Sequence, residues 1–140
     1  TVQYIVIKLG QEQFGIDIRY IDNIVRIQPI TRVPHVPAYI KGVINLRGEV
    51  IPVLNLRVKM GLEEVENTKS TRIIILKIEE YGTLGFIVDG VNEVVTLAES
   101  QTEKMAHDAA EDKQNFVSAV GKTENGLISL LDLNVVCREK

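Results

Sequence analysis

The chain has 140 residues, a formal net charge of −3 and 45% hydrophobic residues, with 5% aromatic and no Trp. That is enough for one compact unit or two very small ones, burying roughly 70% of the extended-chain surface. Cations interspersed among acids leave no basic field for phosphates, which argues against nucleic acid as a partner.

The single cysteine, Cys137, excludes an internal disulfide and fits a reducing compartment. No apolar run approaches the ~18 residues of a membrane span and no signal-like start precedes Val2, so the expectation is a soluble, cytoplasmic domain with no direct membrane insertion. A core of Val, Ile and Leu favours sheet.

Taken in order, "VQYIVIKL" (2–9) reads as a strand, followed by the turn "GQEQ" and the strand "FGIDI" (14–18), in which Phe14, Ile16 and Ile18 alternate with Gly15 and Asp17. "YIDNIVRI" (20–27) carries Ile21, Ile24 and Val25 at helical spacing and reads as a short helical turn or a bent strand. Pro34 and Pro37 make 30–42 an irregular connection. "VINL" and "VIPVL" then flank Arg47–Gly48–Glu49 as a hairpin, Asn55 caps a short helix "LRVKM", and Gly61 closes it. The polar stretch 61–70 reads as a loop.

The remainder repeats this pattern. "FGIDIRYIDNIVRI" (14–27) matches "LGFIVDGVNEVVTL" (84–97) with a displacement of 70 residues, and "QYIVIKL" (3–9) matches "RIIILKI" (72–78) with 69. "GVINLRGEVIPVLNLRV" (42–58) matches "AVGKTENGLISLLDLNV" (119–135) with 77, so that Asn55 corresponds to Asp132, again a good cap. Each half then holds about five short strands, which is marginal alone. The halves are expected to share buried surface, with a groove between them.

Chemistry is sparse. His35 lies in the Pro-rich connection and His107 in a polar segment, with no cysteine spacing beside them, so no metal site is expected. Ser70, Ser100, Ser118 and Ser129 lack a nucleophile elbow, and no glycine-rich phosphate loop exists. Asp89–Gly90 is a turn signal, and Asp17, Glu49, Asp89 and Glu93 have no geometry fixed by the sequence. No catalytic residue and no cofactor is expected, and Cys137 reads as a small buried apolar residue. The triplet Asn-Leu-Arg occurs twice, at 45–47 and 55–57. Arg47 stands where the duplicate has Glu124. A structural arginine bonding a loop carbonyl is one reading; the other is a long side chain with five donors on a rigid hairpin, suited to a partner's carboxylate.

"GVINLRGEVIPVLNLR" with "FGIDIRYIDNIV" ahead of it and "LGFIVDGVNEVV" behind resembles the CheW-like domain family of bacterial chemotaxis coupling proteins, in order from about Gln3 to Val136. The resemblance implies an all-β fold of two SH3-like five-stranded barrel subdomains around a shared hydrophobic core, with the first strand joining the second barrel. The expected division is about 13–80 for one subdomain and 1–12 with 81–140 for the other. It implies a non-enzymatic adaptor between the cytoplasmic tips of methyl-accepting chemotaxis receptors and the CheW-like regulatory domain of the histidine kinase CheA. Such domains also occur at the end of CheA and the start of CheV, whose further domains have no room here, so a free-standing adaptor is expected. The alternatives are the same domain cut from a CheA or CheV chain, or a small β-barrel enzyme or nucleic-acid binder. Carried over by position, the partner-binding residues are Arg47, Asn45, Ile21, Asn23 and Ile24. Many members have glutamate where this chain has Asn23, and Asn55 replaces a commoner aspartate.

Overall fold

The computed structural model describes residues 1–104, 116–124 and 126–138. Among them the aliphatic runs form strands β1 (Val2–Leu9), β2 (Glu12–Asp17), β3 (Ile21–Arg26), β4 (Ile40–Leu46), β5 (Glu49–Asn55), β6 (Arg72–Ile78), β7 (Gly82–Val88), β8 (Gly90–Leu97), β9 (Thr102–Lys104), β10 (Val117–Thr123) and β11 (Gly126–Leu131). The helices are single turns, α1 (Leu56–Lys59) after β5 and α2 (Leu133–Val136) after β11. The mainly β, SH3-like architecture expected from the sequence is present as two sheets in open order, one of six strands and one of five.

The chain divides into two compact units, Tyr20–Gly90 and Thr1–Arg19 with Val91–Lys140. These boundaries fall later than the 12/13 and 80/81 divisions expected. Cutting after residue 12 would split the ladder in which Tyr4 faces Asp17 and Ile7 faces Phe14. Cutting after residue 80 would split β6 from β7, paired from Arg72↔Val88 to Ile78↔Gly82. Each antiparallel hairpin therefore stays whole.

In the unit 20–90 the strand order is β3-β6-β7-β5-β4. β6 is an uninterrupted aliphatic run because both of its faces are buried, Ile73 and Ile75 on one and Ile74 and Leu76 on the other. Ile73 and Ile75 join Ile44, Ile51, Val53 and Ile87 in the unit's core, with Val25, Ile27, Ile30 and Leu46 packed against it. In the other unit the order is β8-β1-β2-β11-β10-β9, around Val6, Leu97, Ile128 and Leu130.

The duplication is visible strand for strand, since β3, β6, β7, β5 and β4 correspond to β8, β1, β2, β11 and β10. The sheets do not follow the repeats, however. The β1–β2 hairpin belongs to the first repeat, yet β2 pairs in parallel with β11 of the second. The β6–β7 hairpin opens the second repeat, and β7 pairs in parallel with β5 of the first. Both strands of each opening hairpin are thus exchanged, where the family resemblance implied one. β9, which pairs β10 through Val120↔Glu103, has a one-residue counterpart, the bridge Thr31↔Val43. A Cβ on Gly42, whose φ is 145°, would lie 2.1 Å from the Thr31 carbonyl oxygen, so the bridge requires glycine there.

The two helices are local inventions of their caps. Asn55 Oδ1 accepts from the Val58 N–H at 3.2 Å. Asp132 Oδ1 accepts from Asn134 and Val135 at 3.2 and 3.4 Å. α1 ends as expected at Gly61 (φ 79°), with Gly61 N–H donating to Val58 O at 3.1 Å and Leu62 N–H to Arg57 O at 2.8 Å.

Candidate functional site

β4 and β5 are joined by two residues, Arg47 and Gly48, with Leu46 facing Glu49 across the turn. Both turn residues have positive φ, 54° at Arg47 and 83° at Gly48. Such a turn matches the right-handed twist of the strands it joins, and Asn-Gly is the sequence that adopts it most readily. An arginine in its first position is strained by about 1–2 kcal/mol, because a Cβ in the left-handed region crowds the following carbonyl. The turn is held from outside the ladder, where Asn45 Oδ1 accepts the Gly48 N–H at 3.2 Å.

Arg47 is exposed, and its guanidinium makes no ion pair or hydrogen bond among the described residues. Among the described residues, no loop carbonyl is bonded by Arg47. Beside it, the pairs Val43↔Pro52 and Asn45↔Val50 present one outward face of the hairpin, with Val50 62% exposed. The site is therefore a cation, free among the described residues, at the end of a small apolar strip. Val50 was missed in the sequence reading, although its place in the alternation of β5, one residue before buried Ile51, marks it as outward.

The bent segment is a bent strand. In β3 the register passes from Ile21↔Leu76 to Asn23↔Ile75, leaving Asp22 as an extra residue. This bulge explains the helical spacing, because it puts Ile21 and Ile24 on the face of Leu76 and Ile74 three residues apart. Asn23 is turned to the other face, that of Ile75 and Ile73, and its Oδ1 is buried. Ile24 is exposed at 36%. Of the five positions carried over from the family, the fold thus joins Asn45 and Arg47 in one turn and places Ile21 with Ile24 on one face. Asn23 is set apart from that pair. β3 and β4 are opposite ends of the strand order.

The second Asn-Leu-Arg triplet is consumed by the fold. Asn55 caps α1, Leu56 is fully buried, and Arg57 grips Asp89 with two hydrogen bonds, Nε to Oδ1 at 2.8 Å and the terminal nitrogen to Oδ2 at 2.5 Å. Arg57 also donates to Glu63 O at 3.1 Å, and those bonds to Asp89 hold its proton more firmly than usual. Asp89 is thus an ion-pair partner beyond the turn signal read in the sequence. Asp17, likewise, is held by Arg19 at 2.7 Å. Burial pushes the Asp17 carboxyl up, but the Arg19 hydrogen bonds and charge outweigh it and leave the group below its ordinary value.

His35 is an exposed loop residue with φ 62°, while His107 lies outside the described residues. Cys137 is half-buried rather than buried and closes α2, its N–H donating to Leu133 O at 3.0 Å. Among the described residues no group of His, Cys, Asp and Glu has metal-binding geometry, and no helix is long and apolar enough to cross a membrane.

By its strand order and internal duplication the molecule is a two-unit β protein of SH3-like type. The model of the CheW-like domain matches residues 3–140. The chain is 39% identical to the chemotaxis protein CheW of Bacillus subtilis over 94% of its own length and 84% of that protein's. It is 30% identical to the chemotaxis protein CheW of Helicobacter pylori over 99% of this chain and 83% of that one. The crystal structure of the scaffolding protein TtCheW from Thermoanaerobacter tengcongensis superposes with a TM-score of 0.90 at 32% identity, covering 99% of this chain and 94% of that one. The chain belongs to the CheW-like domain family.

Proposed function

We propose that the protein is a non-enzymatic chemotaxis adaptor that couples the cytoplasmic tips of methyl-accepting receptors to the histidine kinase CheA. It works in the cytoplasm, at the receptor array, through those partners. Relatives named as chemotaxis proteins, one of them a scaffolding protein, support this reading. The observation that carries the site is the Arg47 turn, a strained backbone holding a cation that is unpaired among the described residues, beside exposed Val50. The two-residue hairpin sets the positive φ. Placing an arginine there, with no ion pair or hydrogen bond of its guanidinium among the described residues, supports a functional role for the position. A guanidinium beside an apolar strip fits a carboxylate on a largely apolar helical or sheet surface. Ile21 and Ile24, on the bulged strand β3, are a second contact patch.

The test is reconstitution of CheA with receptor-bearing membranes and labelled ATP. Adding the protein should make CheA phosphorylation responsive to the receptor, with label on CheA only. Stable label on this chain, or a kinase indifferent to its presence, would contradict the adaptor reading.

A further inference from the structure

We propose that Asn45 is a positioning residue, whose Oδ1 holds the Arg47–Gly48 turn in the left-handed conformation that presents the Arg47 guanidinium to a carboxylate of the partner. The inference rests on the docking reading of Arg47 and gives Asn45 a different role from the direct contact implied by family position.

In a two-residue hairpin the flanking pair, here Leu46↔Glu49, completes the ladder, and the amide of the second turn residue is left over. Asn45 Oδ1 takes that leftover Gly48 N–H at 3.2 Å. An asparagine side chain is short enough to bond a backbone amide three residues on, and it competes well with solvent for that bond. Gly48 is comfortable at φ 83°, with open space where a Cβ would stand, whereas Arg47 at φ 54° is not. Without the Asn45 bond, a turn whose first residue disfavours the left-handed region has a ready alternative in which Arg47 relaxes to negative φ. The guanidinium then points elsewhere for much of the time, and the binding-competent fraction falls.

The duplicate hairpin has no such arrangement. Lys122 stands where Asn45 would be, paired with Leu127 as Asn45 is with Val50. A lysine ammonium cannot accept an amide hydrogen, and the neighbouring Thr123 hydroxyl donates to Gly126 O at 2.9 Å. At the two equivalent positions of the second hairpin, Lys122 and Glu124 replace the asparagine and the arginine together.

The experiment is a double-mutant cycle on the full chain with Asn45→Ala, Arg47→Gln and both. Binding is measured by calorimetry against a receptor-tip fragment and, separately, the CheA regulatory domain. Nuclear Overhauser spectra of the free proteins report the Arg47 backbone, because a positive φ gives a strong contact between a residue's own amide and α protons. Asn45→Ala should leave the melting temperature nearly unchanged, weaken that intraresidue contact at Arg47, and lower affinity for the Arg47-dependent partner roughly tenfold. The double variant should bind no more weakly than Arg47→Gln alone. If Arg47→Gln weakens binding but Asn45→Ala is silent, or its loss adds fully in the double variant, Asn45 does not act through Arg47 and the inference is overturned while the docking reading stands. An unchanged Arg47 proton contact in Asn45→Ala overturns it equally. If Arg47→Gln itself is silent toward both partners, the docking reading fails and takes this inference with it.

Discussion

Two identical triplets ten residues apart in this chain have opposite fates. At 55–57 the asparagine caps a helix, the leucine is fully buried and the arginine is locked to Asp89 and to the Glu63 carbonyl. At 45–47 the asparagine supports a tight turn, the leucine is half-buried and the arginine stands exposed at a strained φ. The difference lies in the backbone beneath them. Residues 55–57 enter a helix, where a short polar side chain finds free amides and the next turn folds over the core. Residues 45–47 enter a hairpin turn that projects side chains outward. A triplet has no meaning of its own; the backbone that receives it decides whether its arginine serves the fold or is left for a partner.

The sharpest way to break this comparison is to truncate the leucines. Leu56→Ala removes a fully buried side chain and should destabilise by about 2–5 kcal/mol, whereas Leu46→Ala, at the rim of its core, should cost clearly less. Equal losses in urea titrations would show that the first triplet is as structural as the second. Arg57→Ala leaves Asp89 without its bidentate partner in a partly buried place and should cost about 1–3 kcal/mol. Arg47→Asn, in contrast, relieves strain and creates the favoured turn sequence, so the melting temperature should rise, by up to about 1 kcal/mol in stability. A fall would mean that Arg47 makes a structural contact after all. The smallest effect concerns Asp17, outside both triplets. Its folded-state value is depressed by Arg19, so its contribution is present above the ordinary aspartate range and disappears as pH falls through the lowered value. Asp17→Asn should lower neutral-pH melting slightly and flatten the acid limb, so that variant and wild type converge at low pH. An unchanged acid limb would show that the exposed Arg19 contributes nothing.

What the sequence revealed follows the range of the interactions involved. Caps and turns are settled within four residues, so Asn55, Gly61, Asp132 and the Arg47–Gly48 hairpin were legible. The duplication was legible too, as were the strands built from it. The exchange of hairpins was not, because the parallel pairings Ser129↔Phe14 and Val53↔Gly85 join segments with no local signal of partnership. The Ile21–Ile24 spacing was ambiguous for a physical reason, since a bulge turns a period of two into three and imitates a helix. Asn23 was placed by family position among the contact residues. The same bulge, invisible in sequence, puts it on the opposite face from Ile24. Arg57 gave no sign of its partner, because Asp89 lies beyond two strands and a loop.

The central claim is that the first hairpin, and not its duplicate, is a docking feature, and charge reversal at the two corresponding turns tests it most directly. Arg47→Glu and Glu124→Arg exchange the character of two exposed residues at equivalent positions. Both should keep the wild-type melting temperature, since exposed changes away from special contacts usually stay within about 0.5 kcal/mol. Arg47→Glu should weaken binding to the receptor tip or to the CheA regulatory domain by on the order of 2–5 kcal/mol, replacing a charge-assisted contact with repulsion. Glu124→Arg should bind as the wild type does. Equal losses from both variants, or unchanged affinity of Arg47→Glu for both partners, would contradict the account.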